Sequence, residues 1–441
     1  MIARRSRRRD APGQAAAPAH EPEPASDRVS NIDPLPAHLT ETDSGSPRAI
    51  ARVTLSRYFA MALSVLVGVV LARSMVPEDR GVYAVALTLT AVPAIVVSAG
   101  LETAALRTAN RDQRAEVFGL IMRRIVVITG LIVVLVTTVL LARIGILGLS
   151  TPQLAICLIS IPPVVAVQLY GNAILGLRRW WVWVAGTLMN AAIYLLATMV
   201  IAAVGQAGVA AYQVAFLAGY LVALLCFVWV VRRHPHDLRT DRTSAVAHTA
   251  SRTRSITISQ ALFMRMQVPL LQALSGTAAV GILAVASPVA DLLLVLPVAA
   301  GTVLLPRYYS SETSPTAVRH NALRIAALAA AVGAVAALAA PWLVPLLYGT
   351  NYSGAARVLQ IMVPGVVLFS YARVVQSYLI SRSRYRLVLW ASLLAVVVSV
   401  GVQLAATPSL GAIGGALAIS AGYTTMFVVI CSARLRDRVA E

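Results

Sequence analysis

Lysine is absent from this 441-residue chain, and all 37 basic residues are arginine. A phosphate-binding P-loop needs its lysine, and so does Schiff-base catalysis, so neither chemistry is available here. Charge as a whole is scarce, at 12% of residues, where soluble domains carry roughly 25%. The three cysteines, Cys157, Cys226 and Cys431, include no CxxC pair. That spacing suggests neither a disulfide framework nor a zinc site. The six histidines lie in polar tails and connections, which excludes a haem or copper pair within the apolar stretches. The sequence thus implies no cofactor, no metal and no catalytic residue. Arginine outweighs acid to a formal charge of +19, but the arginines are spread between apolar segments. That pattern belongs to membrane topology and not to a nucleic-acid surface.

What the chain has in abundance is apolar length. Hydrophobic residues make up 58% of it and the mean hydropathy is +0.77. A spanning helix needs about 20 apolar residues. Twelve stretches qualify: 54–75, 81–104, 120–142, 151–176, 181–204, 208–231, 255–275, 279–303, 322–346, 355–379, 386–406 and 410–432. With a cytoplasmic N-terminus, only Arg73, Arg80, Arg143 and Arg357 fall at the outer side, and Arg57, Arg265 and Arg373 are counted as lying in helices rather than on either side. The other arginines are all cytoplasmic, and this bias supports an even count with both termini inside a bacterial cytoplasmic membrane. Trp180, Trp181 and Trp183 open the fifth span beside Arg178 and Arg179, as an interfacial aromatic belt does.

The expected fold is all-α, a polytopic bundle of about twelve helices in two six-helix lobes. Residues 1–48 read as a disordered cytoplasmic tail, 49–232 as the first lobe and 233–254 as a cytoplasmic linker. Residues 255–433 form the second lobe and 434–441 a short tail. Arg4, Arg5 and Arg7 to Arg9 are followed by no apolar run before about residue 54. This reads as a solvated positive-inside tail rather than a cleaved signal, with contact to anionic lipid headgroups as the alternative. The halves carry a weak repeat. Gly81-Val82-Tyr83-Ala84-Val85-Ala86 and Gly281-Ile282-Leu283-Ala284-Val285-Ala286 open the second span of each half, 200 residues apart, and Arg107 matches Arg307. Even halves give parallel repeats about an axis along the membrane normal, which suits alternating access.

Ionisable side chains inside a membrane are costly and mark function. Arg57, Glu102, Arg265, Asp291 and Arg373 are the candidates. Arg265 lies roughly 15 Å in from the cytoplasmic start of its span and Asp291 roughly 18 Å in from the opposite side. Both therefore sit near the midplane of consecutive antiparallel helices. Either they form a static ion pair, or they share a water-filled cavity in which Arg265 binds an anion and Asp291 answers to protons or cations. Arg57 and Arg373 can snorkel to the inner headgroups or extend a basic funnel. A guanidinium fork suits phosphate, so three arginines point to an anionic substrate, with Gln267, Gln360 and Gln376 as polar neighbours. Gln and Asn also glue membrane helices together. Glu102 is read as structural, beside Arg107 or Arg111.

The stretch Leu71-Ala72-Arg73-Ser74-Met75-Val76-Pro77-Glu78-Asp79-Arg80-Gly81-Val82-Tyr83-Ala84 resembles a junction of polysaccharide exporters. Pro345-Leu346-Leu347-Tyr348-Gly349-Thr350-Asn351-Tyr352, Leu175-Gly176-Leu177-Arg178-Arg179 and Gly411-Ala412-Ile413-Gly414-Gly415-Ala416 resemble others, in consistent order. The resemblance is to Wzx-type O-antigen and capsule-unit flippases of the multidrug/oligosaccharidyl-lipid/polysaccharide (MOP) superfamily. It implies two lobes around a basic central cavity and a polyprenyl-diphosphate-linked glycan turned from inner to outer leaflet. Polysaccharide polymerases or glycosyltransferases are the protein partners it suggests. The rival readings are a lipid II-type flippase, a multidrug or cation antiporter, and a non-transporting scaffold of an envelope assembly complex. A polymerase or ligase is set aside because no external loop is long enough to carry a catalytic site.

Overall fold

The structure, a computed structural model, describes residues 47–99, 149–176, 180–205, 208–232, 255–309, 314–382 and 384–437. Residues 47–441 form one compact unit. The expected third span (120–142), Glu102, Arg107, the linker 233–254 and the N-terminal tail lie outside the described residues, as do the side chains of Arg57 and Arg307. Every described regular element is helical. A bilayer dictates this, because each backbone amide must find its partner within its own segment.

The helices are α1 (Pro47–Ser74), α2 (Pro77–Ser98), α3 (Thr151–Gly176), α4 (Trp180–Val204) and α5 (Val209–Arg232). After the linker come α6 (255–275) and α7 (277–309), then α8 (Pro315–Tyr348), α9 (Gly354–Ser381), α10 (Tyr385–Leu410) and α11 (Ala412–Asp437). Gly276, at φ 77° and ψ −178°, turns the chain between α6 and α7. That positive φ costs little only without a β-carbon. Among the described residues nine helices are long and apolar enough to cross a membrane, and Tyr58–Ser74 is a shorter apolar one. One of the nine, Ser255–Val298, is the α6–α7 pair. Eleven of the twelve expected spans are therefore present, and the chain is a multi-pass membrane protein.

Helix ends follow capping more than hydropathy. Pro77 occupies the first turn of α2 with Glu78 and Asp79, where proline needs no donor and acids meet the positive end of the helix dipole. The helix thus starts ahead of its apolar run. At α8 the Ser314 side chain accepts from the Ala317 amide at 3.2 Å. α1 begins at Pro47, seven residues ahead of the expected span, so Arg57 lies about 15 Å into the helix.

Lipid offers no hydrophobic drive between helices, so packing relies on small residues and polar clamps. A β-carbon on Gly365 of α9 would fall 2.6 Å from Ser420 Cα of α11, and Ser420 donates to the Ile361 carbonyl at 2.7 Å. α9 is the central helix of the second half, packed by α6–α7, α8 and α11. α8 instead exposes Leu338, Trp342 and Leu346, the face that lipid covers.

The halves meet at one end of the bundle. A β-carbon on Gly81 would lie 1.9 Å from Thr277 O, and one on Gly281 would lie 1.9 Å from Pro77 O. Each residue of this contact is 200 positions from its counterpart, and the contacts are reciprocal, as a local two-fold axis between α2 and α7 requires. Around this crossing Arg73 Nε donates to Leu347 O at 2.9 Å and its Nη2 donates to Leu346 O. Both acceptors are among the last carbonyls of α8, which lack helical partners. Tyr352 OH donates to Met75 O at 2.9 Å. We call this end the sealed face. The end of α5 at Arg232, the end of α9 beside Arg382 and the start of α10 beside Arg384 mark the opposite, arginine-rich face.

Candidate functional site

Arg265 sits at a break in α6. Residues 255–265 are helical, Met266 is a turn and the helix resumes at Gln267. Pro269 has no N–H for the Arg265 carbonyl four residues back. Bonds from Met266 N to Leu262 O and from Leu270 N to Met266 O carry the axis through the break. Arg265 is exposed along with Met264 and Met266. It precedes Gly276 by eleven residues, and Asp291 follows it by fifteen. Along antiparallel helices their depths differ by about 6 Å. Asp291 is exposed and lies in the field of Arg265, yet no direct ion pair joins them among the described residues. They act on one another at a distance without a contact pair, so the static contact pair is not made.

Arg373, on α9, is about 12 Å from the arginine-rich end of that helix. It does not snorkel. Its Nη1 donates to Gln260 Oε1 of α6 at 3.1 Å and to Gln376 Oε1, one turn on, at 3.2 Å. Gln376 is buried. These two neutral acceptors orient the guanidinium without cancelling its charge. Tyr423 of α11 is the hub. It stacks on Phe369 at 4.5 Å between centroids and meets Phe263 edge-on at 5.3 Å. It lies in the fields of Asp291, Arg265 and Arg373 together. The first half contributes Tyr220 of α5, which is hydrogen-bonded to Asn190 and within the field of Arg265.

The structure therefore brings Arg265, Asp291, Arg373 and Gln376 together around Tyr423. It sends Gln267 elsewhere. That side chain is 3% exposed and donates from Nε2 to Ser399 Oγ, while Gln403 donates to its carbonyl at 2.8 Å. Ser399 in turn donates to Ala418 O at 2.7 Å. This clamp joins α6, α10 and α11 and spends the amide on packing, so Gln267 does not line a cavity. Gln360 likewise ties α9 to α8, through Ala337 O at 2.9 Å. Gln260, Tyr423 and Tyr220 were not singled out by the sequence. A search restricted to charged residues passes over them, and only the packing places them beside the arginines.

Chemically, the site offers two guanidiniums and one carboxylate, a net positive cluster flanked by phenols and amides. Guanidinium forks bind phosphate oxygens in pairs. Among the described residues no cluster of three or more His, Cys, Asp or Glu is placed to hold a metal.

Comparison with known proteins adds to this geometry. The family model described as "Polysaccharide biosynthesis protein" matches residues 70–357, close to two thirds of the chain. The matched stretch includes Arg265 and Asp291 and ends before Arg373. No curated relative matches. Among solved structures, the lipid II flippase MurJ in an inward closed conformation is similar at a TM-score of 0.71, with 12% identity over 87% of each chain. An inward-facing multidrug resistance MATE family transporter of the MOP superfamily gives 0.69, with 15% identity over 88% of this chain and 98% of that one. A MOP superfamily transporter from Pyrococcus furiosus gives 0.60, with 15% identity over 88% of this chain and 95% of that one. At such identities the likeness is one of fold, and the fold is like that of the MurJ and MATE structures.

Proposed function

Since this chain belongs to the family of polysaccharide biosynthesis proteins, we propose that it is a flippase that turns a polyprenyl-diphosphate-linked oligosaccharide from the inner to the outer leaflet of a bacterial cytoplasmic membrane. The arginine-rich face is cytoplasmic, following the positive-inside rule, and the sealed face is external. Helices 49–232 and 255–433 act as the two lobes of an alternating-access device.

One observation carries this reading. Arg265 stands at mid-depth, at a helix break, without a contact ion pair, in a site to which both halves contribute. A cation kept in that position suits a transient anionic ligand better than a permanent partner. In this reading Arg265 takes the diphosphate through its fork, and Arg373, oriented by Gln260 and Gln376, adds a second positive charge. Tyr423 and Tyr220 offer hydroxyl and ring faces to the sugars, and the prenyl tail stays in lipid. Arg57 extends the basic funnel toward the cytoplasm. Asp291 answers to protons or to the charge of the occupant. Polymerases or glycosyltransferases of the same assembly line receive the product.

The test is reconstitution. Purified protein in liposomes is given a polyprenyl-diphosphate oligosaccharide in one leaflet, and its appearance in the other is followed by an impermeant glycosidase. Wild type should equilibrate the leaflets, and Arg265→Gln should slow this about 10- to 100-fold, the range expected for one charge-assisted contact. If neither protein moves the glycan lipid but wild type exchanges organic cations, the multidrug reading replaces this one.

A further inference from the structure

Arg80 is the outlying feature of the sealed face. It lies in the first turn of α2, beside exposed Glu78 and Asp79, and yet it is only 6% exposed. The guanidinium turns inward, over the Tyr83 ring at 5.4 Å. It comes within 3.9 Å of the place a β-carbon on Gly68 would take. Its Nε is buried without a hydrogen-bond partner, and no carboxylate pairs with it among the described residues. Its contact is the Tyr83 ring, with Tyr194 of the first half and Tyr348 and Tyr352 of the second within its field, and Tyr352 lies in the fields of Glu78 and Asp79 as well. A buried cation without a counter-charge is unfavourable, and an apolar side chain of similar size would seal this end better. The repeat makes the contrast explicit. Arg80 is 200 residues from Val280, which is fully buried at the symmetry-related place.

Two further observations bear on what the cation is for. Tyr348 and Tyr352 sit with the part of the second half that the Arg73 and Tyr352 bonds hold down. Opening this face must break those bonds and carry the two phenols away, while Arg80 stays with α2. In addition, a run of aromatic residues leads from Arg80 to the central site. Tyr83 OH bonds Tyr194 OH, Tyr194 meets Phe216 at 5.7 Å, and Phe216 meets Tyr220 at 4.8 Å. Tyr220 lies in the field of Arg265.

We propose that Arg80 is a second anion-binding site of the transport path, for a phosphate-bearing headgroup, covered by Tyr348 and Tyr352 while the face is sealed and uncovered when it opens. This rests on the flippase reading above. Arg265 holds the headgroup while the sealed face is shut, and Arg80 takes it once that face opens. The aromatic run between them offers ring faces to the attached sugars.

The experiment uses full-length protein in lipid nanodiscs, titrated with inorganic pyrophosphate by calorimetry. Wild type should bind at one site, weakened at least tenfold by Arg265→Gln. Loosening the seal with Arg73→Ala and Tyr352→Phe together should add a second site. Arg80→Gln should remove that second site, Arg80→Lys should restore part of it, and the Arg265-dependent site should survive both. A second site that ignores Arg80→Gln, or no second site in the loosened protein, overturns the proposal and leaves the flippase reading standing. No binding by any variant would overturn both. Because Arg80→Gln is exposed to misfolding, a parallel reading uses Arg80→Cys in a background with Cys157, Cys226 and Cys431 replaced by serine. An impermeant maleimide should label it much faster in the loosened protein, and equal labelling in both would show that the site is not covered.

Discussion

Arg265 and Arg373 share a side chain and differ in how it is held. Arg373 is oriented by two glutamine oxygens, whereas among the described residues Arg265 has no direct bond and lies near Asp291, Tyr423 and Tyr220. Removing the glutamine at 260 should therefore loosen Arg373 without removing charge. Gln260→Leu is expected to raise the apparent KM for glycan lipid several-fold while leaving the maximal rate of liposome transfer nearly intact. Gln267→Leu should do the reverse. It breaks the bond to Ser399, whose hydroxyl keeps its bond to Ala418 O, a loss of about 0.5–1.5 kcal/mol that a lowered thermal midpoint in detergent would register. Transport per folded molecule should not change. Arg265, Asp291 and Arg373 were legible in the sequence because charge is rare inside apolar stretches, so each stands out. Arg80 was not, because Glu78 and Asp79 beside it make the turn read as surface. The 200-residue offset to buried Val280 was the available signal. Gln267 looked like a cavity residue because an amide in a membrane helix serves packing and binding equally well, and only its neighbours decide between them.

The crossing of α2 and α7 sets what the elements can do. Its reciprocal contacts, Gly81 on Thr277 O and Gly281 on Pro77 O, leave no room for a β-carbon. Gly81→Val or Gly281→Val should push the helices apart and cost the sealed state about 1–3 kcal/mol, as overpacking does. The expected outcome is greater labelling of cysteines introduced near Met75 by an impermeant reagent from outside, to a similar degree for both variants. An effect confined to one of them would contradict the two-fold arrangement. The eleven described helices and their order were readable from apolar length. The ends were not, because capping residues rather than hydropathy set them. α2 starts at Pro77 and not 81, and α7 and α8 run on to Tyr309 and back to Pro315, through residues too polar for a hydropathy window.

For the whole molecule, under the proposed function, one sealed end and a positive site at mid-depth make a transporter with one gate closed. The parallel repeat, weak as sequence, becomes concrete where the two halves touch. That symmetry allows the same crossing to close one face while the other admits substrate. The glycan itself is not written in the chain, because sugars are recognised by rings and amides whose placement depends on packing, while the phosphate end is recognised by scarce charges. The most direct measurement is made on cells lacking this protein. Polyprenyl-linked glycans are extracted and their leaflet is assigned with an impermeant oxidant. A lipid-linked glycan should accumulate in the inner leaflet, and wild type should clear it while Arg265→Gln does not. Normal leaflet distribution in the deletion strain, or full clearance by Arg265→Gln, would contradict translocation through the arginine site.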